Sequence, residues 1–293
     1  MNHALADALL EQISQTTGTD LRHCTTEPIG GGCINQAFKL TAGSSSYFVK
    51  INRADRLAMF EREAEGLKLL ASTHSLRTPG VVCAGETEST AYLVLEYIQM
   101  GGPDNAETAG RQLALLHQTT ASSFGNSNNN FIGSSRQINR FCDSWTNFWQ
   151  QHRLGYQLKL AKQNGYHGRL QSRGEQLQAQ LPALLDHKPA PSLVHGDLWS
   201  GNLGYATNGE PVIFDPAVYY GDRETDLAMS ELFGGFSDRF YAAYNEAWPL
   251  PPGYPLRKTL YNLYHILNHL NLFGGGYQQQ ALAMMERLLA EVR

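Results

Sequence analysis

Two carboxylates and one amide stand out by their surroundings. The run Leu193-Val194-His195-Gly196-Asp197-Leu198-Trp199-Ser200-Gly201-Asn202-Leu203 carries an apolar strand into His-Gly-Asp, and Asn202 follows Asp197 by five positions. Thirteen positions beyond Asn202, the apolar run Val212-Ile213-Phe214 ends in Asp215 and Pro216. A carboxylate can accept a proton, and carboxylate and amide oxygens suit a hard cation such as magnesium. The short loop between Asp197 and Asn202 fixes the distance between two such groups. Each piece alone has a plainer reading. His-Gly-Asp triplets are common, and an Asp after a strand usually makes a turn or a helix cap. The full set, Asp-x-x-x-x-Asn followed by strand-Asp, is much less common.

The N-terminal half adds separate candidates. Lys50 ends the strand-like Tyr47-Phe48-Val49-Lys50-Ile51; alone it would be a solvated lysine. Glu63, in Phe60-Glu61-Arg62-Glu63, is its natural ion-pair partner, with Glu61 and Glu65 as rivals. A solvent-facing acidic stretch would explain all three. Gly30-Gly31-Gly32-Cys33 can turn backbone N–H groups toward phosphate oxygens. It is neither a Walker A loop nor a G-x-G-x-x-G motif. Glu96-Tyr97-Ile98 closes another strand, where a hinge or an ordinary edge would serve equally.

Regular elements must hold these groups in place. Leu5, Leu9, Leu10 and Ile13 lie on one face of a helix over 3–15. Strands at 36–40 and 47–51 form a hairpin behind the glycine turn. Leu57, Phe60, Ala64, Leu67 and Leu70 give 57–71 a helical period. Strands follow at 80–83 and 91–98, and Met100-Gly101-Gly102-Pro103 breaks the pattern. A lobe boundary is placed there: 1–98, a linker over 99–105, and a mostly helical 106–293. A helix at 106–119 turns Leu113, Leu116 and His117 inward. The Ser/Asn/Gly-rich 122–135 reads as coil. Trp145, Phe148 and Trp149 read as core. Helices are expected at 169–185, 225–247, 255–271 and 277–291, with short strands and loops over 193–218.

Composition excludes several classes. The chain has 293 residues, 17% charged, with a net charge of −4. No basic excess exists to bind nucleic acid. No apolar run approaches the roughly 18 residues of a membrane span, and the N-terminus lacks the pattern of a signal peptide. Cys24, Cys33, Cys83 and Cys142 form no C-x-x-C pair and fit no zinc spacing. They read as free thiols in a reducing cytosol, and Cys83 as a small buried hydrophobe. A cytoplasmic monomer is expected. Cys33, in the glycine turn, could oxidise and link two chains.

Taken in order, glycine turn, strand-Lys, helix-Glu, hinge, His-x-Asp-x-x-x-x-Asn and strand-Asp resemble the parts of the protein-kinase-like phosphotransferases. The resemblance implies an α+β fold with a small β-rich N-terminal lobe and a larger, mainly helical C-terminal lobe. Asp215 is followed by Pro-Ala rather than Phe-Gly, and no Ala-Pro-Glu segment follows, which favours a small-molecule acceptor. The blocks His195–Asn202, Asp215–Met229, Gly30–Ile34 and Tyr264–Gly275 are similar to those of the fructosamine kinase (ketosamine 3-kinase) family, relatives of the aminoglycoside phosphotransferases.

That resemblance implies an ATP- and magnesium-dependent kinase acting on the 3-hydroxyl of ketosamines, the sugar adducts of small or protein-bound amines. Asp197 would be the base, and Asn202 and Asp215 the magnesium ligands. Lys50, held by Glu63, would contact the nucleotide phosphates. Gly31, Gly32 and Cys33 would cover the phosphates, and Glu96, Tyr97 and Ile98 would meet adenine. His195 and Asp226 would support the catalytic loop, although Asp226 could instead cap a helix. Trp199, Asn268, His269 and Asn271 would face the sugar; for each, packing or a hydrated helix face is the alternative. A phosphotransferase for another hydroxylated amine, such as an aminoglycoside or a choline-like alcohol, remains open, as does a nucleotide-binding scaffold without activity.

Overall fold

The computed structural model describes residues 3–19, 21, 23–30 and 34–292. In chain order the first elements are α1 (His3–Thr17), β1 (Thr25–Ile29), β2 (Gln36–Ala42), β3 (Ser45–Arg53), α2 (Leu57–Ala71), β4 (Val81–Glu86), β5 (Thr90–Glu96) and α3 (Ala106–His117). Next come β6 (Asn130–Ile132), β7 (Ser135–Gln137), α4 (Trp145–Phe148), a π-helical turn over Trp149–Leu154, α5 (Gly155–Gln163) and α6 (Arg169–Leu184). The last are β8 (Ser192–Val194), β9 (Leu203–Tyr205), β10 (Pro211–Ile213), β11 (Tyr219–Gly221), α7 (Glu224–Leu232), α8 (Asp238–Ala247), α9 (Tyr254–Phe273) and α10 (Tyr277–Glu291). Contacts divide the chain into two units: Met1–Asn105 with Gly204–Asp215, and Ala106–Leu203 with Pro216–Arg293. The segment 204–215, which the sequence reading keeps with 106–293, thus groups with the N-terminal residues.

The first unit is built on a five-stranded antiparallel sheet in the order β1-β2-β3-β5-β4. Side chains alternate between its faces. Tyr92 and Val94 of β5 pack with Leu9 and Ile13 of α1, whereas Ala91, Leu93 and Leu95 pack with Phe60 and Leu67 of α2. Val49 of β3 joins the α1 side, so its neighbour Lys50, opposite Leu93, is turned toward α2. Backbone bridges Arg77–Val212 and Met100–Ala206 dock the segment 204–215. Arg77 also pairs with Glu96 and Glu210, each at 2.6 Å. Cys83 packs against the α1-side core, and burial pushes its thiol up to about 11, which suits an inert hydrophobe.

In the second unit α9 is central, burying Leu263, Ile266, Leu267 and Leu270 against α5, α7 and α10. Trp145, Phe148 and Trp149 belong to that core. Two expectations need correction. First, 122–135 is not all coil: β6 and the following β7 pair as a hairpin. Composition misleads because its amides turn inward. Asn130 donates to the Val218 carbonyl at 2.8 Å and Gln137 to that of Ala217 at 2.9 Å. Second, the helix expected over 225–247 is two helices, α7 and α8, separated at Gly234 and Gly235, which have φ of 96° and 74°. Among the described residues no helix is long and apolar enough to cross a membrane.

Candidate active site

In the first unit three predicted residues meet. Lys50 Nζ lies 2.7 Å from Glu63 Oε1 and also pairs with Asp215 Oδ1. Glu63 reaches Lys50 because it sits one turn from Phe60 and Leu67, on the sheet-facing side of α2. The rivalry among acids is resolved by exposure. The Glu63 side chain is 14% exposed, whereas Glu61 and Glu65 are each 49% exposed and lie beside Arg62. Burial lowers the Lys50 pKa, but the charges of Asp215 and Glu63 outweigh it and leave the ammonium more basic than usual. Burial raises Glu63, Lys50 pulls it back and Asp215 raises it again, leaving it at about 6. Asp215 has φ of 58°, in the left-handed region, a conformation that Asp tolerates better than most residues. Its carboxylate is half-exposed.

The hinge candidates lie in the same unit. Glu96 donates its amide to the Gly80 carbonyl at 2.7 Å, and its carboxylate is held by Arg77 and by the Gly80 amide. Lys39 stands over the Tyr97 ring at 4.7 Å. Gly31, Gly32 and Cys33 lie outside the described residues.

The second unit holds the catalytic-loop candidates. Strand β8 pairs with β11 and delivers the chain to His195. Asp226 accepts from the amides of His195 at 2.6 Å and Gly196 at 2.8 Å, and lies 3.1 Å from His117 Nε2. Asp226 is therefore a brace for the loop through its backbone. Burial raises its carboxyl, but His117, His195 and the Gly196 amide outweigh this and hold it below the usual range. Gly196 is required here: its φ is 83°, and a Cβ would lie 2.1 Å from the Ala217 carbonyl oxygen.

His117 is the part of this brace that the sequence did not reveal. Arg223 donates to the Tyr244 hydroxyl, so that hydroxyl donates to His117 Nδ1. His117 Nε2–H is then the donor to Asp226. Its inward helical position hinted at a buried polar role, but no spacing links it to a partner 109 residues away.

Within the loop, the Asp197 amide donates to His195 Nδ1 at 3.3 Å. Asn202 Nδ2 donates to the Asp197 carbonyl at 2.8 Å and lies 3.5 Å from Asp197 Oδ2. The side-chain nitrogen of Asn202 is thereby committed, and its oxygen is the group left for a cation. Trp199 is 37% exposed. Its ring folds back over Gly201, where a Cβ would meet it at 2.4 Å.

The substrate candidates divide. Trp199 and His269 both pack on Phe233. Asn268 and Asn271 are turned elsewhere, contrary to expectation. Asn268 is buried, accepting from Gln157 and donating to the Ile132 carbonyl. Asn271 donates to Gln157 and accepts from Asn164. A helix rotates about 100° per residue, so positions 268 and 271 share the α5-facing side while 269 does not. Phe233 was missed, although Leu-Phe-Gly-Gly occurs twice, at 232–235 and 272–275.

A buried acidic cluster nearby is structural. His187 and Tyr261 each lie 2.6 Å from Asp222 Oδ2, and Arg257 binds Glu224 through two 2.7 Å hydrogen bonds. These contacts fix the turn between β11 and α7.

A five-stranded sheet with an inward Lys–Glu pair, joined to a helical unit carrying a braced His-x-Asp loop, defines the protein-kinase-like class of phosphotransferases. An aminoglycoside phosphotransferase, solved with ADP and hygromycin B, shares this fold at a TM-score of 0.63 and 18% identity, over 97% of this chain and 98% of that one. The family model for fructosamine kinase matches residues 5–291, and the chain belongs to that family. A probable ketoamine kinase of Synechocystis is 49% identical over 96% of both chains. The chloroplastic protein-ribulosamine 3-kinase of Arabidopsis thaliana is 43% identical over 89% of this chain and 81% of that one. A crystal structure from Haemophilus somnus, provisionally assigned as a fructosamine-3-kinase, matches at a TM-score of 0.88 and 29% identity, over 96% of both chains.

Proposed function

We propose that the protein transfers the γ-phosphoryl group of ATP to the 3-hydroxyl of a ketosamine, with ribulosamines, erythrulosamines and fructosamines as the acceptor class. The observation that carries this reading is Lys50 held between Glu63 and Asp215 in a member of the fructosamine kinase family. The Arabidopsis relative is named for its action on protein-bound ribulosamine, and this supports the sugar class.

Phosphoryl transfer demands positioning and charge neutralisation more than covalent help. Lys50 offers a fixed cation to the nucleotide phosphates, and Tyr97 and Ile98 offer backbone groups to adenine. Asp197 receives the proton of the 3-hydroxyl. Asp226 and His195 keep Asp197 in place through the backbone. The Asn202 side-chain oxygen and the half-exposed Asp215 carboxylate are each a hard oxygen donor of the kind magnesium takes. Magnesium, when bound, neutralises phosphate charge.

The product carries phosphate on C3, next to the C2 carbonyl, and enolisation toward C1 makes a C1–C2 double bond adjacent to that carbon. Enolisation can expel that phosphate and lead to release of the amine. The enzyme therefore starts deglycation without cutting the adduct itself.

The test is to incubate the protein with magnesium and ATP plus a ribulosamine, an aminoglycoside or no acceptor, and to count ADP. ADP release that depends on the ribulosamine is expected, with phosphate on its C3 oxygen. Release that requires the aminoglycoside, or no acceptor at all, contradicts the reading.

A further inference from the structure

Five rings run outward from the catalytic loop in the second unit. Trp199 packs edge-on against Phe233 at 6.4 Å, Phe233 lies 4.9 Å from His269, and His269 lies 5.6 Å from Phe273 and 5.2 Å from Tyr277. Phe233 and Phe273 occupy matching places. Each follows a Leu at the C-terminal end of a helix and precedes a glycine pair with positive φ. Core aromatics are covered, but Trp199 is 37% exposed and Phe273 58% exposed. This strip thus offers ring surface to solvent, beginning two residues from Asp197.

His269 gives the strip a polar centre. Its Nδ1 lies 2.8 Å from the His265 carbonyl, so Nδ1–H donates and Nε2 carries the lone pair. Among the described residues Nε2 has no hydrogen-bond partner. Burial lowers His265 to about 3, so that ring is neutral around pH 7. None of the five residues is acidic.

A ketosamine joins its sugar to a secondary amine, which is protonated near neutral pH. The nitrogen is separated from the reacting oxygen only by the C3–C2–C1 run of the sugar. An acceptor whose 3-hydroxyl meets Asp197 therefore carries a positive charge close to this loop. Cations bind aromatic faces without any carboxylate. We infer that Trp199, Phe233, His269, Phe273 and Tyr277 form the subsite for the protonated amine of the acceptor, with the ring faces holding the cation and His269 Nε2 accepting one N–H. The assignment rests on the ketosamine reading above. It explains how an amine-bearing sugar can be recognised by residues none of which is acidic.

The test compares two adducts of the same sugar, a 1-alkylamino-ribulose and its 1-alkoxy counterpart, in which a neutral oxygen replaces the charged nitrogen. Binding is followed by calorimetry and turnover by ADP release, for the wild type, Phe273→Ala and His269→Leu. The wild type is expected to prefer the amine. The amine-over-ether ratio should fall about three- to tenfold in each variant, the scale of a cation–ring contact. Equal binding of the two adducts by the wild type, or an unchanged ratio in both variants, overturns the subsite. Binding with amine preference but no ADP from either adduct removes the kinase reading and leaves the subsite standing. Binding of neither overturns both.

Discussion

Lys50 on β3 and Glu63 on α2 form a 2.7 Å ion pair with both side chains largely buried. The sheet aims one and the helix aims the other, so the pair reports that two elements are packed in register. Asp215 takes the remaining side of the same ammonium. Removing one member of a buried pair leaves the others uncompensated. Lys50→Met should lower kcat/KM for ATP by about 10²–10³-fold, the usual worth of one fixed donor on a developing charge. Steady-state kinetics with varied ATP checks this, using circular dichroism to confirm folding.

The same pair predicts a pH signature. Glu63 titrates at about 6 against its ordinary 4.5. Below about 6 it takes a proton and its hold on Lys50 weakens, so kcat/KM for ATP should fall as pH drops through that value. Stability should move the other way. Between 4.5 and 6 the folded chain binds more protons at this group than the unfolded chain, so its contribution to stability falls as pH rises. Glu63→Gln should flatten both trends, measured as pH profiles of kcat/KM and of melting temperature relative to wild type.

Asp226 has the opposite sign. Its carboxyl is held below the usual range, so its stabilisation is present at neutral pH and is lost as pH falls through its folded pKa. Asp226→Asn would turn an amide nitrogen toward donors that need an acceptor. The expected cost is about 1–3 kcal/mol of stability, with kcat reduced more than KM for ATP. Urea denaturation and steady-state kinetics measure the two effects.

Gly201→Ala should displace the Trp199 ring, because the added methyl would sit 2.4 Å from it. KM for the sugar acceptor should rise several-fold while KM for ATP stays close to wild type. Parallel titrations of the two substrates separate these effects.

Much of this site was legible from residue order. The helix over 57–71 and the strand that carries Lys50 follow from periodicity, and these orient Lys50 and Glu63. Family likeness pointed to Asp226, but only the fold shows that it accepts from the His195 and Gly196 amides. Polar residues proved hardest to read. Asn130 and Gln137 look like loop residues until the carbonyls of Val218 and Ala217 come into view. Asn268 and Asn271 look like a wet helix face until Gln157 and Asn164 occupy them. Hydrogen-bond partners lie far away in sequence, and periodicity carries no information about them. Phe233 is a different case. Its repeated tetrapeptide was visible, but ring contacts with Trp199 and His269 gave it meaning.

The central claim is that Asp197 takes the hydroxyl proton of a ketosamine during transfer from ATP. Asp197→Asn keeps the size of the side chain and the backbone held by Asp226 and Asn202, and removes the base. Turnover of a ribulosamine with magnesium and ATP, followed as ADP released by wild type and variant at matched nucleotide occupancy, measures this directly. A fall of about 10²–10⁴-fold in kcat with ATP binding retained is the predicted result. Wild-type turnover in the variant contradicts the account.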